Sequence, residues 1–154
     1  MKTGLNNGEP LQQKGAEIRD TAWRIEWPDA LSMSNPEIDA EHQLFVRRVN
    51  ELNSAIIARH EKAEVVALMQ LILQEAAEHF AHEERLFAEK AFPEARDHTK
   101  KHEQLTQSFL QALNVIRQTE LGREWIETGL TIRDLLVEHV LKEDTRYISY
   151  LRTV

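Results

Sequence analysis

The chain of 154 residues reads as an all-α protein, an antiparallel up-down four-helix bundle with an extended N-terminal arm. Three observations carry that reading. Apolar residues recur at spacings of three and four along four long stretches, the period of an α-helix with one buried face. The breaks between the stretches are short, which places consecutive helices antiparallel and side by side. The one alternating run, Trp23, Ile25 and Trp27, has no second strand to pair with.

Taken in order, residues 1–20 hold three of the five glycines and read as a flexible tail. The bundle domain covers 21–154. Its arm, 21–38, contains Pro28 and Pro36, which block a helix and leave an extended segment laying its tryptophans on the bundle. The first helix is expected over about 39–59, with Asp39 as N-cap and His42, Phe45, Val46, Val49, Leu52 and Ile56 facing inward. A second, about 62–90, buries Val65, Leu68, Met69, Ile72, Ala76, His79, Phe80, Glu83 and Phe87, and stops before Phe92-Pro93. The third, about 94–118, shows His98, His102, Leu105, Phe109, Leu113 and Ile116. Gly122 marks the last turn, and a fourth helix over about 123–143 turns Thr128, Ile132, Leu135, Leu136, His139 and Val140 inward.

Composition narrows the function. A net charge of −7 and a pI near 5.5 disfavour tracking a phosphate backbone, so no nucleic-acid partner is expected. Without cysteine there are no disulfides, iron–sulfur clusters or thiolate zinc sites. The opening residues lack the apolar stretch of a signal peptide, and no run approaches the roughly 18 apolar residues of a membrane span. A cytoplasmic protein with no membrane partner is expected.

The chemistry lies in one order of residues: His42, His79-x3-Glu83, His98-x3-His102 and His139-x4-Asp144. Imidazole and carboxylate are metal ligands, and seven of them suit two adjacent ions better than one. A gap of four turns a helix by about 400°, so both side chains leave one face a turn apart. All seven sit on otherwise apolar stripes, where burial without partners costs several kcal/mol each. Direction agrees: His42, His98 and His102 lie early in helices one and three, while the others lie late in helices two and four. An up-down bundle therefore brings them to one end. The gap of five from His139 to Asp144 fits least well, at about 500°, unless the helix tightens, widens or frays there.

His60 reads as a surface residue, His82 as a surface residue or a contact behind the ligands, and Glu75, Glu78 and Glu84 as a solvated acidic face or as partners that orient ligand imidazoles. Two other metal patterns do not match. Thr99, not glutamate, follows His98, so there is no HExxH zinc motif. No Glu-x-x-His occurs, as a ferritin-like di-iron site would need.

The strings IDAEH (38–42), HFAHEE (79–84), FPEARDHTKKH (92–102) and HVLKEDTRY (139–147) together resemble the hemerythrin family in its bacterial branch. The resemblance implies two iron ions in a non-haem centre with a bridging oxo or hydroxo group, binding O2 reversibly. By position, His98, His102 and His139 would hold one iron, and His42 and His79 the other. Glu83 and Asp144 would bridge them. The iron with two histidines keeps an open position for O2, within a pocket at Phe45, Phe80, Leu135, Leu136 and Val140. Leu135 stands where relatives commonly carry tryptophan, which implies a roomier pocket. Phe87 replaces a frequent methionine, and Ser34-Asn35 a common glycine-aliphatic pair.

The expected role is a monomeric oxygen carrier, store or scavenger, not an enzyme, serving an oxygen-consuming enzyme or a redox partner. The alternatives are a sensor of O2, redox state or nitric oxide, and a di-iron reductase of peroxide or nitric oxide. A sensor would need a docking surface or output domain, and a reductase would consume its substrate repeatedly.

Overall fold

The first helix, α1 (Pro36–Ile57), begins where the sequence supplies a cap and a proline in succession. Asn35 is extended, and its Oδ1 accepts from the backbone N–H of Glu37 at 3.0 Å and of Ile38 at 3.2 Å. Pro36 has no N–H to leave unpaired at that end. The cap expected at Asp39 therefore lies four residues too late. Asp39 sits in the first turn, where its charge complements the helix dipole. The structure, a computed structural model, describes residues 23–26 and 35–151. The expected tail and most of the arm, including Trp27, lie outside the described residues.

What is described of the arm is tied to α1 by a reciprocal pair. The Ile25 N–H donates to Asn50 Oδ1 at 2.8 Å, and Asn50 Nδ2 donates to the Ile25 carbonyl at 3.0 Å. The arm does not reach residue 38, because Ile38 is a fully buried residue of α1.

Helix α2 (Lys62–Glu89), α3 (Ala95–Gln118) and α4 (Arg123–His139) follow with short connections. Each packs against its neighbour in sequence, and α1 closes the ring against α4. α1 and α2 end in the same way. Arg59 and Ala91 take φ of 61° and 52°, and the next N–H, from His60 or Phe92, donates back to Ala55 or Phe87 at 2.9 Å.

The fourth helix departs from expectation. It does not end near Glu143 but opens into a π-helical turn, Val140–Asp144, and resumes as α5 (Thr145–Leu151). The larger core cluster runs from Val65 and Ile116 up to Phe45, Phe80, Leu136 and Val140. A second cluster of Ile38, Phe87, Phe92, Tyr147 and Ile148 caps the other side of the histidine layer. α5 supplies two of its five buried members, so continuing the helix past Asp144 is what closes that end.

The expected inward faces are buried except at Leu68, Thr128 and Leu135, which are half-buried. On α4 the buried stripe is Trp125, Gly129, Ile132 and Leu136. Trp125 donates its Nε1–H to Thr119 Oγ1 at 3.0 Å. Among the described residues no helix is long and apolar enough to cross a membrane.

Candidate metal centre

All seven expected ligands meet in one buried layer between the two clusters. Their side chains come from α1 (His42), α2 (His79, Glu83), α3 (His98, His102), the end of α4 (His139) and the π-helical turn (Asp144). None is more than 8% exposed. The π-turn resolves the awkward gap of five: widening the helix by one residue brings positions i and i+5 to one face. Asp144 Oδ1 thereby reaches 3.3 Å from His139 Nε2 and 3.0 Å from His98 Nε2.

The ligand atoms fall into two overlapping groups. Glu83, His98, His102, His139 and Asp144 form one, and His42, His79 and Glu83 form the other. Glu83 is common to both, with Oε1 at 3.1 Å from His79 Nε2 and 3.3 Å from His102 Nε2. Asp144 also spans the halves, since its Oδ2 lies 3.2 Å from His42 Nε2.

These approaches are short but not aligned as hydrogen bonds. Both carboxylate oxygens of Glu83, both of Asp144, and Nε2 of His98, His102 and His139 are buried without a hydrogen-bond partner. Seven such atoms converging on one place would each cost about 1–3 kcal/mol or more. A cation satisfies them all at once, so the residues present fit a metal site. In the metal-free molecule, protons supply the positive charge. Burial opposes charge on His79, yet Glu83, Glu41 and Asp144 raise its pKa to about 10. Burial likewise opposes charge on His139, and Asp144 raises it. Glu83 is disfavoured by burial and by Asp144, but His79 and His102 hold it down at about 2. Asp144, equally buried, is held well below its ordinary value by His139, His42 and His98.

Two imidazoles are oriented from behind. His102 Nδ1 lies 3.0 Å from Glu84 Oε2, and His79 Nδ1 lies 2.7 Å from Glu41 Oε1. Of the three acidic residues singled out in the sequence, Glu84 does this work, Glu75 instead pairs with Arg48 at 3.1 Å, and Glu78 is exposed. Glu41 was not anticipated; its place directly before His42, one turn before Phe45, was the available signal. His82 is not a plain surface residue, because its Nδ1 lies 2.6 Å from Glu41 Oε2. Both neighbours hold Glu41 ionised: burial raises its pKa, and His79 and His82 together lower it further than that. His60 is exposed and pairs with Glu64 at 2.7 Å.

Of the expected apolar pocket, Phe45, Phe80, Leu136 and Val140 are buried, and Phe80 stacks on His102 with ring centroids 4.0 Å apart. Phe45, Phe80 and Leu135 each line a different cleft. Leu135 lies in a groove of about 460 Å³ between α3 and α4, beside Ala112 and Ile132.

A four-helix bundle with a buried histidine–carboxylate layer defines a helical metal-binding protein. The chain belongs to the family of the Hemerythrin HHE cation binding domain, whose family model matches residues 34–151. It is similar to the bacteriohemerythrins of Pseudomonas aeruginosa strains LESB58 and UCBPP-PA14, with 25% identity over 130 residues. The match covers 82% of this chain and 80% of each of theirs.

Proposed function

We propose that this chain holds two iron ions and binds O2 reversibly. The observation that supports it best is the asymmetry of the two ligand groups: three histidines stand in one and two in the other, with Glu83 shared. On this reading His98, His102 and His139 hold one ion, His42 and His79 the other, and Glu83 and Asp144 serve both. Two ferrous ions would supply the two electrons that reversible O2 binding requires. The protein's own part is to hold neutral imidazoles toward the centre, offset the metal charge with two carboxylates, and keep water away. Phe80, Leu136 and Val140 do the last, since they are almost wholly removed from solvent on the bundle side. Phe87 and Tyr147 do so on the other, with the Phe87 ring 4.6 Å from His98.

The protein would act as a carrier, store or scavenger, with no acid or base beyond the seven ligands taking a catalytic step. The test is to load the chain with ferrous iron without air, measure iron per chain, admit O2, and withdraw it. Two irons per chain and an absorption band that comes and goes with the gas are expected. Irreversible oxidation on first exposure would sink the carrier role, and sustained consumption of O2, peroxide or nitric oxide with a reductant would make the protein an enzyme.

A further inference from the structure

The two halves of the centre are braced from outside by different devices. Behind His102 stands Glu84, whose side chain is about a third exposed. Behind His79 stands Glu41, and Glu41 is gripped again on its second oxygen by His82. His82 Nε2 in turn faces Glu37 at 3.5 Å. The series His79, Glu41, His82, Glu37 leads from the buried layer, where the His79 side chain is 6% exposed, to open water at Glu37, 79% exposed, through the half-buried Glu41 and His82. It runs along a cleft of about 400 Å³ between α1 and α2, lined also by Leu44, Phe45 and Arg85.

A glutamate alone explores many rotamers, and a single hydrogen bond fixes it poorly. Two imidazoles, one on each oxygen, fix Glu41 in one orientation. Its Oε1 then accepts the Nδ1–H of His79, so that Nε2 of that ring, beside the shared Glu83 carboxylate, would be the nitrogen that gives up its proton and offers its lone pair to a cation. Charge on the accepting oxygen also pushes electron density onto the ring, making it a stronger donor.

We infer that Glu41, locked by His82, is the positioning residue for the metal position held by His42 and His79, and that it sets how tightly that position keeps its ion. The inference rests on the proposed two-ion reading. The position with fewer histidines depends more on each of them, so loss of this brace acts on one ion and spares the other.

The test uses the full chain loaded with zinc or iron and challenged with a chelator. Glu41→Ala is expected to speed the release of one of the two ions by about tenfold or more, with the second ion unchanged. Glu41→Gln keeps the shape and loses the charge; it is expected to fall between and to move the reduction potential of the iron-loaded protein upward. His82→Ala acts in the same direction and less, while Glu84→Ala loosens the other ion. In the metal-free chain, nuclear magnetic resonance should show a protected His79 Nδ1–H that Glu41→Ala exposes to exchange. Release of both ions at the original rates, or equal loosening of both, would overturn the inference, as would an unchanged His79 signal. If the unaltered chain never holds two ions, the proposed function fails instead, and the His79 signal still decides the role of Glu41.

Discussion

Asn53 and Glu83 are equally hidden from water, yet the bundle treats them in opposite ways. Asn53 lies in α1 on the α4 side, away from the histidine layer, and its Nδ2 donates to the carbonyls of Val49 and Gly129, both at 3.2 Å. Helix α4 can come that close because residue 129 has no side chain; a Cβ there would collide with Asn53 Oδ1. The polar group is closed by backbone the protein already owns. Glu83 has no such closure, and neither of its oxygens finds a hydrogen bond. A buried polar group satisfied from within fixes helix packing. One left open, and surrounded by others left open, fixes a ligand.

The largest effect that can break this comparison is at Glu83. Because Glu83 belongs to both candidate ligand groups, Glu83→Gln should lower affinity at both proposed positions by about 100-fold or more, read as metal per chain after dialysis. The metal-free fold should survive at a lower denaturant midpoint, since glutamine keeps the shape but loses the charge that His79 and His102 stabilise. If only one ion is lost, Glu83 is not the shared carboxylate. At the other site, Gly129→Ala should leave metal content alone and cost about 1–3 kcal/mol of unfolding free energy by overpacking α1 against α4. Asn53→Ala should relieve much of that cost when combined with it, so the two changes are expected to be non-additive in a double-mutant cycle. Additive effects would mean that the clash is with Ile56, the other α1 side chain within reach.

A third contrast is in pH. The folded pKa of His79 is raised from 6.5 to about 10, so its contribution to metal-free stability is full below pH 6.5 and is lost as pH rises toward 10. Glu83 is lowered from 4.5 to about 2, so its contribution is full above pH 4.5 and is lost as pH falls toward 2. Denaturant midpoints of the metal-free chain should therefore peak between pH 4.5 and 6.5 and fall on both sides. Bound metal replaces the proton on His79, so the alkaline fall should shrink in the loaded protein. An equal fall in both forms would show that the centre does not control it.

The seven candidate ligands were legible because each interrupts an apolar stripe at helical spacing, and because their places in the helices put them at one end. What stayed hidden has particular reasons. The π-turn at Val140–Asp144 follows from no local propensity in VLKED; it is imposed by what Asp144 must reach, and only the spacing of five hinted at it. Trp125 and Gly129 were missed because a tryptophan near a helix start and a lone glycine carry no period of their own. Glu41 and His82 were unreadable as a pair, because they lie on different helices and only the approach of α1 to α2 joins them. The cap at Asn35 is masked in the sequence by Asp39, an equally good cap, and by Pro36, which reads as arm although it is the first helical residue.

The smallest expected effect lies at the two helix ends. Arg59 closes α1 away from the metal layer and Ala91 closes α2 beside it, both in the left-handed region that costs an L-residue about 1–2 kcal/mol. Glycine removes that cost but gains unfolded-state freedom of about 0.4–1 kcal/mol, so Arg59→Gly and Ala91→Gly should each stabilise by about 0.5 kcal/mol. The two ends should nevertheless differ in consequence. Beyond Ala91 lies Phe92, whose ring packs 5.2 Å from Phe87, and Phe87 lies against His98. Relieving the strain in that turn should also slow metal release from the loaded protein, whereas relieving it at Arg59 should leave release unchanged. If Arg59→Gly slows release equally, the metal layer is sensing overall stability and not the packing of its own cap.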